Sequence, residues 1–249
     1  MPTYTDQKNA AATMSINRPD AYRPLEEIDL MADLVPMDGL KVLELGCGAA
    51  WTTRLLVERL GAAAVTATEV DRIQHEKNLR LDDLAQVTFR YGGAEAIADP
   101  DATYDLVVML KSLHHVPIPL MDRALTEIRR VVKPGGRLYC SEPVYGGPFN
   151  DVMRLIDDER VVREAAFAAL QRAVGQGQFG LEAEVFFQSA CTYPDWDAFA
   201  ARFIYVTHSP RNLDADQLAA IRTAFERHLT ADGAHFDKPH RVDLLRRQE

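Results

Sequence analysis

The spacing of apolar residues changes character twice along the chain. Residues 1–20 are polar, with Pro2 and Pro19, and predict an irregular arm. Over Pro24–Val35 the residues Leu25, Ile28, Leu30, Met31 and Leu34 recur at near-helical intervals, which predicts an amphipathic helix ended by Pro36.

From Leu40 onward, short apolar runs alternate with helical periodicity. Strands are expected at Lys41–Leu45, Ala63–Glu69, Val87–Tyr91, Tyr104–Leu110 and Arg137–Glu142. Helices are expected at Thr52–Leu60 (stopped by Gly61), around Gln74–Leu84, and at Met121–Val132, closed by Lys133-Pro134-Gly135-Gly136. The fourth strand is continuously apolar, as a strand covered on both faces should be. Strands and helices in strict alternation demand a parallel sheet with helices on both faces, the α/β class.

Beyond Pro148 the pattern is less regular. Asp151–Val174 reads as one helix, Gly175–Gly180 as a flexible stretch and Glu184–Thr192 as a strand. Trp196–Ile204 and Ala215–Leu229 predict helices, and Arg241–Leu245 a short terminal strand. No compositional break separates the halves. The expectation is therefore a single domain over residues 1–249: an arm or lid at 1–38, a ligand-binding core at 39–142, and an elaboration at 143–249 that sets specificity.

Composition narrows the partners. The chain has 249 residues, 47% hydrophobic and 26% charged, which is ordinary for a globular protein. A net charge of −9 repels phosphate backbones, so nucleic acid is not an expected partner. Arg241, Arg246 and Arg247 gather near the C-terminus and are read as solvated surface. Cys47, Cys140 and Cys191 are widely spaced without a C-x-x-C pair, so neither disulfides nor a metal are expected. The N-terminus lacks the pattern of a signal peptide, and no apolar run approaches the ~18 residues of a membrane span. The expectation is a cytoplasmic protein without a membrane partner.

Candidate chemistry begins where the first strand ends, in Glu44-Leu45-Gly46-Cys47-Gly48-Ala49-Ala50. Two glycines let the backbone turn tightly and approach a ligand with no Cβ in the way, at the carboxyl end of a parallel strand where ligands of open sheets bind. A plain strand-to-helix turn would use glycines too. Glu69 ends the second strand about 20 residues later, where an acid can accept from both ribose hydroxyls. Asp71 is a rival for that role, though the strand count favours Glu69. The spacing is not G-x-G-x-x-G, which argues against a dinucleotide.

His114 and His115 follow the fourth strand directly, and an imidazole titrating near pH ~6.5 suits a general base. His115 is slightly favoured, and either ring can instead merely shape the loop. Glu142 and Tyr145 follow the fifth strand, where they face an acceptor or, for Glu142, pair with an Arg. Cys191 and His208 receive no role.

Taken together, Val42-Leu43-Glu44-Leu45-Gly46-Cys47-Gly48, Glu69, Gly92-Gly93-Ala94-Glu95-Ala96, Tyr104–Val108, Leu113-His114-His115-Val116 and Val132-Lys133-Pro134-Gly135-Gly136 resemble the successive motifs of the class I methyltransferases. The resemblance is closest to the small-molecule branch that includes the ubiquinone-biosynthesis enzymes, and it covers residues 40–142. It implies a Rossmann-like three-layer α/β/α sandwich with a mostly parallel seven-stranded sheet, a helical N-terminal arm and a helical C-terminal elaboration. It implies S-adenosylmethionine as cofactor, S-adenosylhomocysteine as product, and a small-molecule acceptor attacking through oxygen or nitrogen. A homodimer is the oligomeric expectation.

The same resemblance places Glu44, Gly46, Cys47 and Gly48 around the methionine and ribose, and Glu69 with Val70 at the ribose hydroxyls. Ala94 and Glu95 fall beside the adenine, Leu110 and Lys111 beside the sulfonium, and Tyr22 over the cofactor as a lid. Two departures stand out. Gly93 replaces the Asp that relatives present to the adenine amino group, and Ala50 replaces a third glycine. They favour one alternative, a cofactor-binding scaffold without turnover; within the enzyme class the rival is methylation of a protein or RNA.

Overall fold

The computed structural model describes residues 14–205 and 213–248. In chain order it contains α1 (Glu27–Leu34), β1 (Lys41–Leu45), α2 (Trp51–Glu58), β2 (Ala64–Glu69), α3 (Arg72–Asn78), β3 (Val87–Tyr91), β4 (Tyr104–Leu110), α4 (Met121–Val131) and β5 (Val132–Pro143). There follow α5 (Gly147–Met153), α6 (Arg160–Gly175), β6 (Phe179–Tyr193), α7 (Trp196–Phe203), α8 (Ala215–Glu226), β7 (Leu229–Thr230) and β8 (Gly233–Arg247).

One sheet runs in the order β3-β2-β1-β4-β5-β8-β6. Its first five strands are parallel, while β8 is antiparallel to both β5 and β6. Successive strand residues alternate between two cores. Leu43, Val107 and Leu138 pack with α4 and α6, whereas Val42, Leu106 and Tyr139 pack with α1 and α2. That alternation, with both faces covered, makes the three-layer sandwich. Strand order reverses at β1, where the chain goes to β2 on one side and, after β3, to β4 on the other. That reversal opens a crevice at the carboxyl ends.

Several boundaries differ from the sequence expectation. The two-residue β7 pairs with β8 and makes an eighth strand where seven are expected. The helix expected at Asp151–Val174 is two, α5 and α6, separated near Asp158, whose carboxylate accepts from the Arg160 amide. The stretch expected to be flexible ends inside β6, with Gly180 opposite Arg246. α3 starts at its Asp71 cap and ends at Asn78, well short of Leu84. β8 is 15 residues long, and the polar His235, Asp237 and Lys238 with Pro239 hide its first half from a strand pattern.

The long β6–β8 ribbon extends past the edge of β5 and carries an aromatic core of its own. Tyr193, Phe199, Phe225 and Phe236 are buried there among α5, α7 and α8. The arm pairs with the same ribbon: the Leu25 amide donates to the Gln188 carbonyl, the Gln188 amide to the Arg23 carbonyl, and the Ser15 amide to Glu184. Arg241 is not solvated surface. It is buried against Asp243 at 2.7 Å, and the half-buried Arg247 donates to the Val132 carbonyl, whereas Arg246 is exposed.

Candidate active site

Two groups of residues meet at the carboxyl end of the sheet. The first surrounds the turn after β1. Gly46 and Gly48 have φ of +79° and +52°, a region that favours glycine. A Cβ on Gly46 would stand 2.8 Å from the Ser112 Cβ, so the turn is pressed against the loop after β4. A Cβ on Gly48 would meet nothing within 4 Å, which leaves its outer face open for close approach by a ligand.

Glu69 ties this turn to the next. Its carboxylate accepts from the amides of Gly48 at 2.8 Å, Val70 at 2.8 Å and Asp71 at 2.9 Å. A carboxylate offers about four acceptor positions, so roughly one remains for a ligand hydroxyl. Asp71 is spoken for: it caps α3 through the amides of Ile73 and Gln74. Asn78, invisible to sequence reading, is buried and donates to the Gly48 carbonyl at 2.7 Å and to the Cys47 sulfur at 3.4 Å. A lone polar residue in a charged helix gives no pattern by which to find it.

Beneath the turn lies Glu44, buried, accepting from the Thr53 hydroxyl at 2.5 Å. Burial, with nearby Glu69 in second place as a raising influence, pushes its carboxyl up to about 7 despite the Thr53 bond. The Cys47 thiol is pushed up to about 12 by burial and by Glu44 and Glu69, so it acts as an inert wall. Around the opening, Trp51, Val70 and Ile73 are exposed apolar side chains, a suitable bed for a nucleobase, and the exposed Tyr91 carries the Arg72 guanidinium 4.3 Å over its ring. Ala94 is buried next to it, and the Glu95 carboxylate carbon sits 2.9 Å from where a Cβ on Gly93 would stand. Glu95 thus reaches back into the space that an acid at position 93 would fill.

The second group lies past β4 and β5. Leu113–His115 form a short 3-10 turn. Glu142 accepts from the Leu113 amide at 2.9 Å and, through its other oxygen, is in short contact with His114 Nδ1; both side chains are buried. With Nδ1 committed to the carboxylate, Nε2 is left as the lone-pair nitrogen, and it lies 4.0 Å from Glu159. Glu159 itself receives Arg163 at 2.6 Å. His115 rests on His114 with ring centroids 4.1 Å apart, its own face exposed. Partial desolvation lowers its pKa below the ordinary imidazole value, and His114 pushes the same way. One ligand atom from each of His114, His115 and Glu159 falls within 4.8 Å of the others, but Arg163 already holds the carboxylate.

His114, His115, Glu159 and Arg163 line a cavity with Lys111, Phe149, Tyr193, Phe203 and Lys238. Leu110 ends β4 just before Lys111. Lys111 has φ of +56°, a strained conformation for a side-chain-bearing residue, and its ammonium is paired with Glu27 of α1. Tyr22 is not brought to the glycine turn. It packs edge-on against Phe186 of β6 at 5.7 Å and donates to Asn17. β6 lies four strands from β1, roughly 19 Å at ~4.8 Å per strand. Tyr145 lines a separate side cavity with Arg160. His208 lies outside the described residues, and no role attaches to Cys191.

An open glycine turn, a tethered acid and an apolar rim at the switch point of a doubly covered parallel sheet define a class. Over its β1–β5 core the chain is similar to the class I S-adenosylmethionine-dependent methyltransferases. Residues 42–136 match the model of a methyltransferase domain. Among its relatives, a ubiquinone biosynthesis O-methyltransferase of Cereibacter sphaeroides is 32% identical over 136 residues, covering 54% of this chain and 53% of that one. One from Roseobacter denitrificans is 30% identical over 53% of this chain and 52% of its own. The chain thus spans about half the length of the curated relatives it matches. Among solved structures, the YcgJ protein from Bacillus subtilis aligns with a TM-score of 0.64 at 19% identity, covering 89% of this chain and 98% of that chain. A cyclase, SpnF, aligns with a TM-score of 0.55 at 21% identity, covering 89% and 80%. The fold is shared across these proteins.

S-adenosylmethionine is the cofactor of the class, and the residues present fit it. Gly48 is open, Glu69 keeps one acceptor position, and the exposed rim can cover an adenine. Among the described residues no helix is long and apolar enough to cross a membrane.

Proposed function

We propose that the protein transfers a methyl group from S-adenosylmethionine to an oxygen or nitrogen of a small molecule bound in the cavity past β4 and β5. The observation that carries this reading is His114, which lines that cavity, is held by the buried Glu142 and lies one loop away from the glycine turn. When bound, the cofactor supplies a methyl carbon on a sulfonium, and in-line attack forms the new bond as the carbon–sulfur bond breaks, its electron pair leaving on sulfur to give S-adenosylhomocysteine.

The protein's part is orientation and proton handling. Glu142 fixes the His114 tautomer, so Nε2 accepts the proton of an acceptor hydroxyl as its oxygen attacks, and the carboxylate then stabilises the imidazolium. His114, rather than the slightly favoured His115, is given the base role because only His114 has an orienting carboxylate. Its exposed neighbour forms the cavity rim.

The relatives support a small acceptor, and a net charge of −9 disfavours nucleic acid. The test is to incubate the protein with methyl-labelled cofactor and a small-molecule extract. Label is expected in the small-molecule fraction, and His114→Gln should reduce it by about 100-fold or more, the ordinary contribution of a general base. Label confined to protein or RNA, or full activity in the variant, would overturn the reading.

A further inference from the structure

The cavity's charge runs opposite to that of the molecule. The chain carries −9 overall, yet the cavity is lined by Lys111, Arg163, Arg202 and Lys238 against a single carboxylate, Glu159. Two of those cations are already answered: Lys111 by Glu27 and Arg163 by Glu159. The other two are not. Lys238 lies 5.4 Å from the Phe149 ring centroid and Arg202 5.8 Å from that of Phe203, and neither has an ion-pair partner among the described residues. Those two rings contact each other edge-on at 5.8 Å, so both free cations sit on one aromatic corner. Tyr193 stacks on Phe149 at 6.3 Å and closes it.

A third polar group there lacks a partner. His240 lines the same cavity, is only 3% exposed, and bonds Ser189 through Nε2 while its Nδ1 has no hydrogen-bond partner. Burial, then Lys111, Lys238 and Arg163, push its pKa down to about 2, so the ring is neutral and adds no charge to the cavity. Arg202 is exposed and Lys238 half-buried, so two cations without an ion-pair partner among the described residues stand beside an apolar wall, a charge that a ligand of opposite sign would complement.

We propose that this cavity takes an anionic aromatic acceptor, its ring against Phe149 and Phe203 and its anionic group between Lys238 and Arg202. The assignment rests on the cavity being the acceptor site of the proposed methyl transfer, and it names the substrate class of that site. The ring places the nucleophilic group toward His114, at the other end of the lining. Neutral and cationic analogues lose the two unpaired cations as partners, so charge, more than shape, sets the selection.

The test uses three probes that share a hydroxyphenyl ring and differ in charge: 4-hydroxybenzoate, 4-hydroxybenzamide and 4-hydroxybenzylamine. Each is titrated calorimetrically into the full chain, with and without saturating S-adenosylhomocysteine. The benzoate is expected to bind about tenfold or more tighter than the amide, with the amine weakest. The double variant Lys238→Gln/Arg202→Gln should bring the benzoate down to the amide's level while S-adenosylhomocysteine binding is unchanged. Equal affinity for all three, preference for the amide or amine, binding of none, or an unaffected double variant would overturn the proposal. Failure to bind S-adenosylhomocysteine would instead count against the methyltransferase reading, because the charge preference is also measured without it.

Discussion

At the scale of single residues, the two departures from the family pattern have different consequences. Ala50 caps α2 with φ of +60°, where a Cβ costs about 1–2 kcal/mol, so the helix starts strained. Ala50→Gly should stabilise the fold by about 1 kcal/mol in denaturant titration, and a destabilised variant would show that the alanine side chain matters more than the strain. Gly93 is offset by Glu95 reaching back into its space. Glu95→Ala should weaken S-adenosylhomocysteine binding by about 1–3 kcal/mol, the range for losing a charged hydrogen-bond partner, while unchanged affinity would leave the adenine edge unassigned. Glu44 gives a pH signature. Its folded carboxyl titrates near 7, above the unfolded value of 4.5, so the folded state holds this proton more tightly. Its contribution is therefore most favourable at pH below 4.5 and is lost as pH rises to about 7, by roughly 2–3 kcal/mol. Melting curves of Glu44→Gln should lack that component of the decline between pH 5 and 8; identical wild-type and variant profiles would place the carboxyl in water.

At the scale of elements, the parallel half was legible because each strand is a short apolar run bounded by turn residues. β1, β3 and β4 have the bounds read from sequence. The elaboration was less so. β8 mixes His235, Asp237 and Lys238 into a strand whose outer half faces a cavity, and the Asp151–Val174 periodicity continues across the break between α5 and α6. The glycine turn and Glu69 were legible as neighbours, and the structure joins them through the Gly48 amide. The Glu142–His114 pair was visible only as two candidates on separate strands, since no spacing rule joins residues 28 apart in sequence. Tyr22 was misplaced because an arm's direction depends on the edge it pairs with, here β6. The aromatic corner should behave as a separate support. Phe199→Ala removes a fully buried ring from it and should cost about 3–5 kcal/mol by chemical denaturation, with S-adenosylhomocysteine affinity retained. Lost affinity would mean that the ribbon and the cofactor turn are coupled.

At the scale of the molecule, one sheet carries two sites at its carboxyl edge. The β1–β2–β3 side presents open backbone, a tethered acid and an apolar rim, while the β4–β5–β8 side presents a buried acid–imidazole pair under an aromatic, cationic roof. On the proposed function, the strands fix the cofactor turn and the appended ribbon and helices line the acceptor cavity. The central claim is that the turn after β1, tied by Glu69, binds the cofactor. Calorimetric titration of the wild-type chain with S-adenosylhomocysteine tests it most directly, read against Glu69→Gln. The account predicts saturable binding of one molecule per chain and an affinity loss of about 1–3 kcal/mol in the variant. No binding at millimolar ligand, or equal affinity in the two proteins, would contradict it.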